Sequence, residues 1–320
     1  MRICSLLPSA TEMLFALGCD DRVVGVTHEC DFPEAAKQKP RLIRPRVDPQ
    51  GAPGEIDRQV RALVDAGQSL YGIDAELLIR FEPDLIITQD LCHVCAASPE
   101  DLGAVLAGMA KVPAVLTLTP HTLEDVWSDV ERVGDAVGER EHGLELASRL
   151  RDRVAAVAAQ VPSGGHRPVR VLCLEWLEPL YVAGHWVPEM VAAAGGVDVF
   201  GHAGEASFRV TPEQIAECDA EVMLVMPCGY DADRAAREFN GMRLAKRWPD
   251  LPALRDGRVY AIDANSYTSR PGPRLADGVE LLAQIIGDSA STGALTLPAA
   301  VQRLYCAERR TIDREIGSVT

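Results

Sequence analysis

The order of strand and helix signals runs through this chain twice, and that repetition limits the fold more than any other feature. In the first half Arg2 to Leu7 reads as a short buried strand, and Pro8-Ser9-Ala10-Thr11-Glu12 leads into the apolar helical run Met13 to Leu17, ended by Gly18. Arg22 to Thr27, Pro83 to Thr88 and Val112 to Leu118 are further β-rich runs, with helical patterns between several of them. Strands that alternate with helices predict a parallel sheet. After Pro162-Ser163-Gly164-Gly165 the alternation starts again. Val169 to Leu174 matches Arg2 to Leu7, and Glu189 to Gly201 resembles Glu12 to Gly25. Gln214 to Met226 parallels Leu78 to Thr88, and Gly257 to Ile262 parallels the Val112 to Leu118 run. Four matches in one order predict two copies of a single α/β unit. A generic α/β rhythm without duplication is the alternative.

Between the halves, from His121 to about Val161, Leu123, Val126, Val130, Val133 and Val137 recur at helical spacing, with no proline before Pro162. This predicts a long amphipathic helical connector, roughly 60 Å if continuous. Gly134, Gly138 and Gly143 are the places where it could break. Leu281 to Ile286 reads as an apolar helix closing the second half. The expected organisation is an N-terminal α/β lobe over 1–120, a connecting helix region over 121–161, a C-terminal α/β lobe over 166–290 and a tail over 291–320. The length of 320 residues, about twice that of an ordinary domain, accommodates it.

Composition bears on partners and location. With 47 acidic against 32 basic side chains the formal charge is −15, which repels phosphate backbones and anionic bilayers, so no nucleic-acid partner is expected. No apolar run approaches the roughly 18 residues that span a bilayer, so no membrane insertion is expected. Met1 to Pro8 carries no signal-peptide core, and nine cysteines, an odd number, suit reduced thiols or ligands. The expectation is a cytoplasmic protein, and without export a transporter partner is not expected.

Several motifs resemble the cobalamin and iron-siderophore class of ABC-transporter substrate-binding proteins. They are the opening S-L-x-P-S-A-T-E-M-L-F-A-L-G (Ser5 to Gly18), V-V-G-V-T (Val23 to Thr27), F-E-P-D-L-I-I (Phe81 to Ile87), A-A-G-G (Ala193 to Gly196), V-T-P-E-Q-I (Val210 to Ile215) and D-G-R-V-Y-A-I-D (Asp256 to Asp263). The similarity covers about residues 1 to 290. It implies two Rossmann-like lobes with parallel-type sheets, joined by a long helix, and a small ligand in a cleft between them. Members hold corrinoids, siderophores, haem and other chelates. The ligand-facing positions would be the loops after strands: 8–12, 28–32, 89–95, 175–186, 208–209, 228–230 and 265–270. The general rule that ligands bind outside the carboxyl ends of strands in open α/β sheets agrees.

Within those loops Trp176, Trp186 and Tyr267, with Tyr181, suit a flat macrocycle, in a chain whose aromatic content is 5%. Arg209 and Arg270 offer planar donor forks for a carboxylate or phosphate, with plain solvation as the alternative. Glu175 is a candidate proton carrier or ligand. Cys92-His93-Val94-Cys95 is a C-x-x-C pair on a strand-end loop, and Ala96 rules out the haem-attachment pattern. Were both sheets to aim their carboxyl ends at one cleft, Cys30, Cys92, Cys95 and Cys228 would converge on an iron–sulfur cluster or zinc, with His28 and His93 as nitrogen donors. Against this stands the tendency of free cysteine to pack in cores, which accounts for Cys4, Cys19, Cys173, Cys218 and Cys306. Ser9 reads as a helix cap. No G-x-x-x-x-G-K-[ST], H-E-x-x-H or G-x-S-x-G occurs, so nucleotide hydrolysis, zincin proteolysis and esterase chemistry lack support.

Two readings result. One is a cytoplasmic carrier, scavenger or sensor for cobalamin or a related metal chelate. The other is a metalloprotein or enzyme holding an iron–sulfur cluster or Zn.

Overall fold

A computed structural model describes residues 1–90, 99–161, 167–288 and 298–304. The chain divides into two compact units: Met1–Val157 with Arg270–Asp277, and Ala158–Ser269 with the described residues from Gly278 onward.

Unit one runs β1 (Ile3–Ser5), α1 (Pro8–Ala16), β2 (Val23–Thr27), β3 (Arg41–Pro45), α2 (Pro53–Asp65), β4 (Tyr71–Ile73), α3 (Ala75–Phe81), β5 (Leu85–Gln89), α4 (Pro99–Ala107), β6 (Ala114–Leu118), α5 (Leu123–Ala136) and the greater part of α6 (Arg140–Gln160). Its sheet has the order β4-β3-β2-β1-β5-β6, parallel except for β4, which runs antiparallel to β3. Strand β5 is buried along its whole length, as expected of an inner parallel strand covered on both faces. Cys4, Leu6, Leu42, Ile43, Leu78, Ile86 and Leu102 form one core cluster. Helix α1 is buried from Pro8 to Leu14 and starts on Pro8, whose fixed φ suits a first turn. Its N-cap is Leu7, so Ser9 lies inside the helix and does not cap it.

The connector region is helical but not one rod. Gly138, at φ +78°, separates α5 from α6, and glycine adopts that left-handed conformation without steric cost. Gly134 and Gly143 serve differently: a Cβ built on Gly134 would lie 2.9 Å from the Gly143 Cα, so the two helices touch backbone to backbone there. A capping box at Thr122 and Asp125 fixes the start of α5.

Unit two runs β7 (Val169–Leu177), β8 (Leu180–Val182), α7 (Val187–Ala193), β9 (Gly196–Asp198), β10 (Phe208–Arg209), α8 (Pro212–Ala216), β11 (Val222–Val225), α9 (Ala232–Gly241), α10 (Pro252–Arg255), β12 (Val259–Ile262), α11 (Ala264–Tyr267), the greater part of α12 (Leu275–Gly287) and β13 (Val301–Arg303). The parallel core is β9-β7-β11-β12. It repeats the β2-β1-β5-β6 order of unit one, and the four pairs of matching strands are those paired by the sequence repeat. The additions are antiparallel. Strand β8 pairs the second half of β7, β10 pairs β8, and β13 pairs β12. The sheet of unit two is therefore mixed, and residues 301–303 of the expected tail are one of its strands.

Candidate ligand-binding site

In unit one the end of β1, helix α1 and the loop after β2 hold a polar cluster. Thr11 Oγ1 donates to Ser5 Oγ at 2.8 Å and lies 3.0 Å from Cys30 Sγ, while Ser5 Oγ donates to the Leu7 carbonyl at 3.0 Å. Cys30 is 1% exposed, and burial pushes its thiol up to about 11. A metal needs the thiolate, so a thiol held protonated in a hydrogen-bonded core is a poor donor. His28 is half-buried, and burial, assisted by Arg41, holds its imidazole below the usual histidine range. The ring is neutral at pH 7 and keeps a lone pair. Its Nδ1 lies 3.3 Å from Thr27 Oγ1, and the ring centre is 6.0 Å from that of Tyr71.

Arg270 is already engaged within unit one. It forks onto Asp31 at 2.5 and 3.3 Å and donates to the Glu29 carbonyl at 3.0 Å. Four residues on, Arg274 grips Glu12 through both oxygens at 2.5 and 2.9 Å and lies 4.4 Å from the centre of the Phe32 ring. These arginines fasten the 270–277 segment and the 28–32 loop to α1. The expectation that Arg270 grips a ligand anion gives way to a positioning role, because its fork is filled by a carboxylate 239 positions away in sequence.

In unit two the carboxyl end of β7 and the loop after β11, continuing into α9, build an aromatic wall. Trp176 and Tyr230 meet edge to face at 5.4 Å, and Trp176 Nε1 donates to the Glu178 carbonyl at 3.0 Å. The guanidinium of Arg234 lies 3.8 Å from the centre of the Tyr230 ring and donates to its hydroxyl at 3.2 Å. Tyr230 is almost wholly buried, and that burial pushes its phenol up to about 12, so the ring stays neutral. Arg209 donates to Tyr181 Oη at 2.8 Å and lies 5.2 Å from that ring centre. Ser207 Oγ lies 3.0 and 2.9 Å from the two oxygens of Glu175, which fixes that carboxylate. Cys228 is half-exposed, its N–H donating to the Glu175 carbonyl at 3.2 Å. Phe208 is exposed on the edge strand β10.

Trp186 is placed otherwise than expected. It is buried and donates through Nε1 to the Thr268 carbonyl at 2.7 Å, so it packs the core at the start of α7. Tyr267 is half-buried at the end of α11. Sequence reasoning missed Arg234. The available signal was its spacing of four from Tyr230 across the Asp231 cap, which puts it one turn on.

Among the described residues no three His, Cys, Asp or Glu side chains are placed to hold a metal ion. Cys92, His93 and Cys95 lie outside the described residues, Cys30 belongs to unit one and Cys228 to unit two. The iron–sulfur or zinc reading therefore gains no support.

Two α/β units, each built on a parallel core of the same strand order and each carrying polar or aromatic side chains near the carboxyl ends of its strands, define the class as a duplicated open-sheet α/β fold, in which ligands bind at those ends. The chain belongs to the Periplasmic binding protein family, which it matches over residues 3–266. A vitamin B12-binding protein of Vibrio parahaemolyticus is 26% identical over 280 residues, 87% of this chain and 86% of that one. A periplasmic heme-binding protein from Roseiflexus sp. RS-1 in apo form superposes with a TM-score of 0.67 at 26% identity, covering 91% of this chain and 99% of that one. The vitamin B12-binding protein of Vibrio cholerae shares the fold, with a TM-score of 0.64 at 22% identity over 89% of this chain and 96% of its own. The expectation that no transporter partners this chain gains nothing from such relatives, one of which, in Bacillus subtilis, is described as an ABC transporter substrate-binding lipoprotein.

Proposed function

We propose that this chain is a substrate-binding protein for a corrinoid of the cobalamin type or a related flat metal chelate. The observation that carries the reading is the Trp176, Tyr230 and Arg234 assembly at the carboxyl ends of β7 and β11. An aromatic edge-to-face pair backed by a guanidinium is a rigid, largely apolar wall with a fixed polar rim, which suits a macrocycle better than a small hydrophilic solute. Arg209 on Tyr181 and the Ser207-fixed Glu175 add polar groups for the amide or carboxylate substituents such macrocycles carry. The relatives named for binding vitamin B12 and heme support the same ligand class.

The cytoplasmic carrier, scavenger or sensor role belongs to the same proposal; its support is the odd count of nine cysteines, which suits a reducing compartment. The test is to mix purified protein with cyanocobalamin or with hemin, pass it through a desalting column, and record visible spectra with cobalt and iron content. Retention of one chelate at about one metal per chain is expected. Loss of both chelates on the column overturns the proposal, and a brown absorption that bleaches on reduction in anaerobic protein restores the cluster reading.

A further inference from the structure

At the end of the unit-two sheet opposite the aromatic wall, the chain twice writes R-x-x-R-V: Arg167-Pro168-Val169-Arg170-Val171 entering β7 and Arg255-Asp256-Gly257-Arg258-Val259 entering β12. Strands β7, β11 and β12 are parallel and adjacent, so both motifs and the Asp219 to Glu221 turn before β11 come to one edge. There they line an open cavity of about 590 Å³, whose walls are Arg167, Arg170, Arg255, Arg258, the acids Asp219, Glu221 and Asp256, and Pro252.

The acids do not neutralise these arginines evenly. Glu221 takes Arg167 at 3.1 Å and the Arg170 backbone N–H at 2.9 Å, and Asp256 takes Arg255 at 3.3 Å. Arg170 and Arg258, both half-buried, bond to carbonyls through their Nη2 atoms, Arg170 to Cys218 at 2.9 Å and Arg258 to Ile285 and Ile286 at 3.2 and 2.9 Å, and Arg258 also interacts with the Tyr260 side chain. The Nε of each is buried without a hydrogen-bond partner. A guanidinium taken out of water without a carboxylate is costly, and here two of them face one cavity in a chain of net charge −15. An anion supplied from solution would offset that cost.

We infer that this cavity is a second binding site, for a small soluble molecule bearing a phosphoryl group. Planar arginine forks match the oxygen geometry of a phosphoryl group. The volume lies in the range of small-molecule sites. The walls carry almost no apolar side chain, which disfavours a hydrophobic ligand such as the one proposed for the opposite end of the sheet.

The probe is inorganic pyrophosphate, titrated calorimetrically into the whole protein at low and at moderate salt. Saturable binding that weakens with salt is expected. Arg170→Gln with Arg258→Gln should weaken it at least about tenfold. Because those two also bond carbonyls, Arg167→Gln with Arg255→Gln, both exposed, is the variant safer for folding, with an expected loss of about threefold. Asp219→Asn tests the sign: Asp219 sits at φ +48°, a conformation asparagine tolerates, and removing its charge should tighten binding by about twofold to fivefold. No saturable heat with pyrophosphate, or an affinity unmoved in the Arg167/Arg255 and Asp219 variants alike, overturns the inference. Binding of vesicles containing an anionic phospholipid without binding of pyrophosphate would also overturn it, since the ligand would then be a membrane surface.

Discussion

Replacing Glu12 by Gln puts the most weight on the account of unit one. The Glu12 side chain is 3% exposed and that of Arg274 15%, and the two join through a bidentate pair at 2.5 and 2.9 Å. Glu12→Gln keeps the shape but leaves Arg274 facing an amide, with Arg270, 3.8 Å from the same oxygen, also losing a counter-charge. Breaking a buried pair by removing one partner costs about 3 to 5 kcal/mol, and the residual exposure of Arg274 argues for the lower end, about 3 kcal/mol. Hydrogen–deuterium exchange read on peptides covering β1 and α1 is the assay, because it reports unit one alone. At about 3 kcal/mol, protected amides there should exchange on the order of 100-fold faster. Arg274→Met should do similar harm, and the double variant should lose less than the sum by at least about 1 kcal/mol. Exchange within about threefold of wild type in Glu12→Gln, or strict additivity in the double variant, would refute the reasoning.

Three further outcomes follow from other parts of the fold. Asp129 is 3% exposed with Oδ2 unpartnered, and burial pushes its carboxyl from 3.8 to about 6. The folded state therefore holds the proton more tightly than the unfolded one, and stability falls as pH rises from about 4 through about 6. Asp129→Asn should flatten that slope, worth up to about 3 kcal/mol, in urea titrations across the window; an unchanged slope counts against it. Gly184→Ala puts a Cβ 2.4 Å from the Glu205 carbonyl oxygen and 2.6 Å from Ser207 N, so it should cost about 1 to 3 kcal/mol and free Glu175, measured by thermal unfolding. Buried and protonated, Cys30 should resist iodoacetamide at pH 7 far longer than half-exposed Cys228, with equal rates by mass spectrometry as the contrary result.

The parallel cores were legible because their strands are apolar runs bounded by turn residues, and because the run order repeats. The antiparallel additions were not. Strands β4, β8 and β13 have three residues each and β10 two, too short for any period to register. Strand β3, Arg-Leu-Ile-Arg-Pro, carries two arginines and a proline that mask its buried Leu42 and Ile43. At the candidate site, Glu175 and Trp176, expected on a loop, lie at the carboxyl end of strand β7, and Arg209 ends the two-residue strand β10. Arg270 and Trp186 do not serve as expected, because each is claimed by a partner remote in sequence, Asp31 and the Thr268 carbonyl. No local pattern records a contact across 239 or 82 positions.

The central claim, that the unit-two wall holds a flat metal chelate, is tested most directly by titrating cyanocobalamin and hemin into wild type, Trp176→Ala and Arg234→Ala in a calorimeter. The account predicts one-to-one binding of one of the two to wild type, weakened about fivefold to tenfold by each substitution, since an aromatic contact of this kind is worth about 1 kcal/mol beyond its buried area. Wild type that binds neither chelate, or binds one with an affinity both variants share, contradicts it.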